Sequence, residues 1–158
     1  MTALSILENR AVASAAPPEV LTSTLGGQEY GIDILAVQEI RRYEAPTRIA
    51  NAASHLLGIV NLRGVIVPIV DLRRSMGLPA EHGASTVTVI VNVGARTVGL
   101  VVDEVSDVVT LDPEQIQPRP SLGNGASADF IVGFATVAGA EGPRMLLLLD
   151  LEALLRDF

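Results

Sequence analysis

Residues 86–102 read TVTVIVNVGARTVGLVV, a pattern typical of two paired β-strands. Two runs rich in β-branched residues, 86–91 and 97–102, flank Gly94, and such runs on either side of a turn-forming glycine predict a β-hairpin. The segment 20–34, VLTSTLGGQEYGIDI, follows the same plan with an alternating run, a Gly-Gly turn and a second run. The chain therefore contains the same hairpin pattern twice.

The two hairpins belong to a longer internal repeat, in which the offset between matched positions drifts from 68 to 79 residues. The matched positions include Tyr30-Gly31-Ile32 with Val98-Gly99-Leu100, Gly58 with Gly133, and Asp71 with Asp150. Glycines that recur in both halves favour bends or bulges over ligand contacts. Aspartates that recur where an apolar strand ends favour N-caps of short helices. The repeat indicates two structurally equivalent halves.

The strand pattern predicts an all-β fold. Each half would hold five short strands in roughly 65 residues, and closing them into a small barrel removes exposed strand edges. We therefore predict two small five-stranded β-barrels that arise from the duplication and carry short helical turns. An open sandwich is the alternative architecture. The predicted divisions are a disordered tail over 1–18, a first barrel over 19–81 and a second barrel over 82–158.

The composition sets limits on function. The 158 residues are 49% hydrophobic, yet no apolar run approaches the ~18 residues of a membrane span. Cysteine is absent, which removes disulfides, thiolate nucleophiles and thiolate metal ligands together. The net charge of −7 repels phosphate backbones, so nucleic acid is not an expected partner. We expect a cytoplasmic protein without direct membrane insertion.

A search for catalytic or metal-binding residues finds few candidates. His55 and His82 have no second histidine at metal-ligand spacing, which favours structural or solvent-facing roles. The sequence also contains one acidic cluster, formed by Asp103, Glu104, Asp107 and Asp112. Its spacing lacks the rhythm of a calcium loop, so we interpret it as a solvated strand and turn. We predict no catalytic residue, no metal and no cofactor, and therefore a protein that is not an enzyme.

One segment is specific enough to resemble a known family. Residues 58–73, GIVNLRGVIVPIVDLR, place an Arg-Gly turn between two apolar strands and a proline inside the second strand. This segment resembles the CheW family of chemotaxis coupling proteins. The resemblance continues in EYGIDILAVQEIRR at 29–42, TRIAN at 47–51, VGLVVDEVSDVV at 98–109 and RMLLLLDLEALL at 144–155. It covers essentially everything after the tail.

The resemblance implies a pair of SH3-like barrels and an adaptor function. Such an adaptor would join the regulatory domain of the histidine kinase CheA to the cytoplasmic tips of chemoreceptors, the methyl-accepting chemotaxis proteins, in a membrane-associated array. The family's contact positions that match here are Val37, Glu39, Gly58 and Arg63. Val37 and Glu39 are two residues apart on one predicted strand, so we expect them on the same face. Arg63 lies in a turn whose counterpart in the second half has no arginine, which favours binding over structure.

Two rival interpretations remain open at this point. A small barrel of the OB kind could bind a ligand or a nucleic acid in an unrelated pathway, although three phenylalanines, two tyrosines and no tryptophan leave little for base stacking. An uncharacterised hydrolase is the other alternative, and it lacks a recognisable nucleophile motif. Under the adaptor hypothesis the chain has two binding surfaces and no turnover.

Overall fold

The computed structural model describes residues 19–50, 56–75, 77–78, 82–118 and 130–155. The predicted tail over 1–18 and His55 lie outside these residues. Strands dominate the described chain, so the all-β prediction is confirmed. The helices α1 (Leu72–Ser75) and α2 (Leu151–Leu154) each have four residues. Among the described helices, none is long and apolar enough to cross a membrane.

Eleven strands make up the described sheets. They are β1 (Glu19–Leu25), β2 (Gln28–Asp33), β3 (Val37–Arg42), β4 (Leu56–Leu62), β5 (Val65–Asp71), β6 (Val87–Val93), β7 (Arg96–Val102), β8 (Glu104–Thr110), β9 (Ile116–Pro118), β10 (Ile131–Gly139) and β11 (Gly142–Leu149). Two short 3-10 turns, Ile34–Ala36 and Pro113–Gln115, precede β3 and β9. Both hairpins around glycine turns form as the sequence predicts.

The strand order supports the duplication. The five-stranded sheet has the order β3-β6-β7-β5-β4, and the six-stranded sheet has the order β8-β1-β2-β11-β10-β9. Each strand of the five-stranded sheet therefore has an equivalent at the same place in the six-stranded sheet, which adds only β9 at one edge. In both sheets a parallel pair joins the two hairpins: β5 with β7, where Val70 lies opposite Leu100, and β11 with β2, where Leu147 lies opposite Tyr30.

The two sheets exchange hairpins between the halves of the sequence. The β1–β2 hairpin belongs to the same sheet as β8, β9, β10 and β11. The β6–β7 hairpin belongs to the same sheet as β3, β4 and β5. The chain accordingly folds into two compact units whose segments alternate along the sequence. The predicted boundary between residues 81 and 82 thus does not separate the two sheets. The reason is that a hairpin from each half completes the sheet of the other half.

Neither sheet closes into a hydrogen-bonded barrel, which corrects the closed-barrel part of the prediction. In the five-stranded sheet β3 and β4 are the two edges. The segment after β3 reaches the outer edge of β4 at one isolated bridge, where Thr47 and Ile59 exchange two backbone hydrogen bonds of 2.9 Å. Because this contact does not extend into a ladder, the two edges pair with no further strand among the described residues.

Each unit has its own apolar core. The core cluster of the five-stranded unit consists of Leu62, Val67, Ile69, Ile90 and Val101. The core cluster of the six-stranded unit consists of Val20, Leu111, Ala135, Val137, Leu146 and Leu148. Every member of both clusters is at least nine-tenths buried. Burial of aliphatic side chains on this scale is the main stabilising contribution to each unit.

The recurring glycines and aspartates have the predicted structural roles. The strand register shifts at Gly58 in β4 and at Gly133 in β10, so both glycines lie at equivalent bulges. The Asp150 carboxylate accepts a hydrogen bond of 3.1 Å from the Ala153 N–H and caps α2. The Asp71 carboxylate accepts one of 3.1 Å from the Arg73 N–H at the start of α1.

Asp107 is held in a polar row across four strands, which corrects its interpretation as a merely solvated residue. The Thr22 hydroxyl donates to the Asp107 carboxylate at 2.6 Å. The Arg144 guanidinium lies 3.3 Å from the same carboxylate oxygen and also donates to Glu29 at 3.0 Å. The Thr22 hydrogen bond, followed by the one from Arg144, lowers the pKa of Asp107 below its ordinary value.

The lowered pKa predicts a pH-dependent loss of stability. A carboxyl group whose pKa is lower in the folded state stabilises the protein above its unfolded pKa, and this contribution is lost as the pH falls through the folded pKa. We therefore expect Asp107→Asn to lower the free energy of unfolding by about 1 kcal/mol at pH 6, since the carboxylate is half exposed. The difference from wild type should shrink towards pH 3 in urea titrations. Glu104→Gln on the same strand is the control, and an equal pH-dependent difference there would refute the assignment.

Candidate partner-binding site

The turn between β4 and β5 places Arg63 in a backbone conformation that arginine rarely adopts. Leu62 pairs with Val65, so Arg63 and Gly64 form a two-residue hairpin turn, with φ of 52° and 89°. Two successive positive φ angles are typical of a type I′ turn, which favours Asn-Gly. The Gly64 N–H donates to the Asn61 side-chain oxygen at 2.7 Å and fixes the turn. Arg63 is the only residue other than glycine with positive φ in the described chain.

This backbone strain points to a function for the side chain. A left-handed conformation costs a residue with a Cβ about 1–2 kcal/mol, which glycine or asparagine at this place would largely avoid. The Arg63 side chain is 64% exposed, so packing does not explain it. The turn therefore presents a guanidinium to solvent at an energetic cost.

Glu39 and Arg63, two of the predicted contact residues, meet in the structure. Arg63 Nη2 lies 3.3 Å from Glu39 Oε2, and Arg41 Nη1 lies 3.4 Å from the other carboxylate oxygen. Glu39 belongs to β3 and Arg63 follows β4, so the ion pair spans the two edges of the five-stranded sheet. Exposed ion pairs contribute at most about 1 kcal/mol to stability. The pair therefore orients these side chains more than it holds the unit together.

Apolar side chains flank the ion pair, and the sequence analysis did not single them out. Val65 and Ile66 directly follow the turn and are 56% and 57% exposed. Ile40 is 44% exposed but lies opposite Val89, so its side chain projects from the other face of β3. The run VIVPIV at 65–70 has no polar alternation that would show which side chains face outward. The result is an exposed surface with charged groups beside large aliphatic ones, which we call the hairpin surface: Glu39, Arg41, Arg63, Val65 and Ile66.

Val37 does not share a face with Glu39 as predicted. The register of β3 shifts between these residues, so Val37 lies opposite Val91 while Glu39 lies opposite Ile90. Ile90 and Val91 are consecutive on β6 and project to opposite faces. The bulge at Gln38 therefore reverses the alternation, and the half-buried Val37 points away from the Glu39 face.

Gly58 is a buried backbone position beneath the site. Its φ is 152°, and a Cβ there would lie 2.1 Å from the Thr47 carbonyl oxygen. The close approach of the Thr47 backbone to β4 thus requires glycine. Gly58 positions the strand that leads to Arg63 and offers no side chain of its own to a partner.

A buried ion cluster that the sequence analysis missed lies at the end of β5. Arg73 is fully buried and forms a two-pronged pair with Asp71 through hydrogen bonds of 2.9 Å from Nε and from Nη2. Its Nη1 donates to Asp103 at 2.9 Å, and Asp103 also accepts the Gly26 N–H at 2.9 Å. The hydrogen bond to Asp71 is the largest cause that raises the pKa of Arg73. Asp103 is thus a structural residue and not simply a solvated one.

His82 is held at the edge of this cluster. Its Nδ1 lies 3.1 Å from Arg73 Nη2, and because arginine can only donate, this ring nitrogen acts as the acceptor. The imidazole stacks on the Tyr43 ring with centroids 4.1 Å apart and planes inclined by 17°. The residue has the structural role that its isolated position in the sequence favours.

The side chains at the site are suited to binding another protein. Within the described ranges, no group of three or more His, Asp or Glu side chains is placed to hold a metal ion. The hairpin surface provides a carboxylate, guanidinium groups and aliphatic side chains. Such a combination suits binding to another protein, in which apolar anchors are surrounded by charged groups.

Comparison with known proteins agrees with this interpretation. The CheW-like domain family model matches residues 19–158. The chain is 50% identical to the chemotaxis protein CheW of Klebsiella aerogenes over 141 residues, 87% of this chain and 81% of that one. It is 35% identical to a probable chemotaxis protein CheW of Rhizobium etli, with 88% of each covered. The crystal structure of the scaffolding protein TtCheW from Thermoanaerobacter tengcongensis matches with a TM-score of 0.77, 28% identity and 87% coverage of both chains.

The fold and these matches define a class of protein, the chemotaxis scaffolds. Within this class, the chain belongs to the CheW family. The resemblance found in the sequence is confirmed. Membership of this family argues against an OB-type nucleic-acid-binding domain and against an uncharacterised hydrolase.

Proposed function

We propose that this chain is a non-catalytic adaptor that couples the cytoplasmic tips of chemoreceptors to the regulatory domain of the histidine kinase CheA. It would act in the cytoplasm, at arrays of membrane-bound receptors. Family membership supports the chemotaxis scaffold function. The choice of these two partners follows from the family resemblance of the segments at 29–42, 58–73 and 98–109.

The observation that best supports a binding function is the presentation of Arg63. The turn holds this residue exposed in a strained conformation beside Glu39, next to the exposed Val65 and Ile66. Interface hot spots combine arginine with apolar neighbours that exclude water on binding. Aliphatic side chains that are exposed in the free protein gain most from being covered by a partner.

The four predicted contact residues have different proposed roles. Arg63 and Glu39 would contact a partner directly, because both are at least partly exposed and belong to the hairpin surface. Val37 is proposed as a separate apolar contact on the opposite face of β3. Gly58 would act through the backbone position of β4.

Removing the Arg63 guanidinium is expected to weaken binding without unfolding the protein. Arg63→Asn is the sharpest variant, because asparagine tolerates the left-handed turn conformation and alanine does not. Loss of a central arginine at an interface costs about 2 kcal/mol or more, roughly thirtyfold in affinity. Stability should change by less than about 0.5 kcal/mol or rise slightly as strain is relieved. Calorimetric titration with a receptor-tip fragment and with the kinase regulatory domain, together with thermal unfolding, measures both effects.

Arg48 provides the matched control, since it is an exposed arginine of the same unit. Arg48→Asn should bind both partners like wild type. Glu39→Gln should also weaken binding, because it releases Arg63 and Arg41 from their shared carboxylate. Wild-type affinity of Arg63→Asn for both partners would show that the turn arginine is a passive surface charge.

A further inference from the structure

A notch opens between β3 and β4, the two edge strands of the described five-stranded sheet. Its floor is formed by Leu62, Ile69 and Ile90, which are core residues of the five-stranded unit. Its volume is about 60 Å³, several times the ~10–15 Å³ of cavity space that one water molecule requires. This is enough room for the terminal methyl groups of one branched aliphatic side chain. These three residues are at most 5% exposed, so the notch lies directly above the core of the unit.

The β4 edge beside the notch has free backbone groups. Ile59 directs its N–H and C=O outward to Thr47, so Asn61, two residues further along the strand, directs its own N–H and C=O to the same edge. No other described residue forms a hydrogen bond to these outward groups of Asn61. An open strand edge of this kind is a template for an added strand.

The mouth of the notch favours a carboxylate. Arg41, Arg42 and Glu44 line it, which gives two guanidinium groups and one carboxylate. Arg41 is engaged by Glu39, whereas no carboxylate of the described chain lies within ion-pair distance of the exposed Arg42. When the neighbouring Arg63 and Glu39 are counted as well, three guanidinium groups lie near two carboxylates at this mouth. In a protein with a net charge of −7, this local net charge of +1 is complementary to an acidic partner.

We propose that the notch receives an extended acidic segment of a partner protein. An aliphatic side chain of the segment would occupy the apolar floor, a neighbouring carboxylate would pair with Arg42, and its backbone would bond to the free groups of Asn61. An extended segment fits better than a helix, because the backbone groups of a helix are already hydrogen-bonded within it. A helix would therefore leave the backbone N–H and C=O of Asn61 without a partner from the segment. The inference rests on the proposed function, since it describes the chemistry of one partner contact.

Blocked tripeptides test the proposal on the full chain. In NMR titrations, acetyl-Glu-Leu-Glu-amide should give saturable shifts at the Asn61 amide, the Arg42 side chain and the Ile90 methyl groups. Acetyl-Glu-Gly-Glu-amide, which lacks the anchor, and acetyl-Arg-Leu-Arg-amide, which reverses the charge, should not bind. Arg42→Gln should weaken the first peptide at least about fivefold, which corresponds to one exposed charge-assisted contact. Arg48→Gln should have no effect.

Several results would overturn the proposal. Equal binding of the glycine peptide would show that the leucine side chain is not an anchor. Chemical shift changes located away from the notch would show that the peptide binds elsewhere. Binding of 4-methylpentanoate as tight as that of the tripeptide would show a site for small acids and not for a chain segment. Normal binding of receptor and kinase fragments without any peptide binding would reject the notch and leave the proposed function standing. Peptide binding without fragment binding would reject the proposed function instead.

Discussion

Replacing Arg73 with methionine is expected to lower the free energy of unfolding by about 3–5 kcal/mol. The side chain is fully buried, and it is the counter-charge of Asp71, which is also fully buried, and of Asp103. Methionine fills a similar volume, so the main loss is electrostatic: the buried Asp71 carboxylate would lose its two hydrogen bonds from Arg73, and the one-third exposed Asp103 would lose its ion pair. The loss should also loosen the β1–β2 turn, because Asp103 holds the Gly26 N–H. Urea unfolding at neutral pH measures the effect.

Two further variants separate this explanation from a simple packing defect. Arg74→Met changes the neighbouring arginine, whose side chain is 42% exposed, and should cost less than about 1 kcal/mol. Adding Asp71→Asn to Arg73→Met should recover part of the lost stability, because it neutralises one stranded carboxylate while asparagine can still cap α1. A double variant less stable than Arg73→Met alone would argue that packing, not charge, dominates.

The strands were predictable, but their assembly into sheets was not. Apolar alternation and glycine turns locate the hairpins, and the repeat correctly identifies equivalent positions such as Gly58 and Gly133. Because the two halves are equivalent, the exchange of hairpins between them cannot be predicted from the sequence. Because β1–β2 and β6–β7 have the same pattern, either hairpin is compatible with either sheet. Only long-range packing decides between them, and the repeat contains no information about that choice.

The candidate site shows a similar division between residue types and geometry. The resemblance identifies Glu39 and Arg63, but their contact depends on how far the five-stranded sheet curls to bring its edges together. The bulge at Gln38 places the Val37 side chain on the face opposite Glu39. The sequence has no glycine or proline at this position that would predict a bulge. The ion pair of Arg73 with Asp103 spans 30 residues and a topological crossover, so charge spacing along the sequence does not reveal it.

Replacing Gly58 with alanine is expected to destabilise the protein by about 3 kcal/mol or more, which combines backbone strain at a positive φ with a steric clash. The added Cβ would lie 2.1 Å from the Thr47 carbonyl oxygen, a backbone atom, so no side-chain rotation can relieve the contact. The bridge between Thr47 and Ile59 would have to open, and β4 would shift beneath the turn that presents Arg63. We therefore expect both a lower thermal midpoint and weaker partner binding. Gly83→Ala is the control, because nothing lies within 4 Å of a Cβ at that position. Wild-type stability of Gly58→Ala would show that the segment around Thr47 can move away at little cost, and would leave Gly58 without a positioning role.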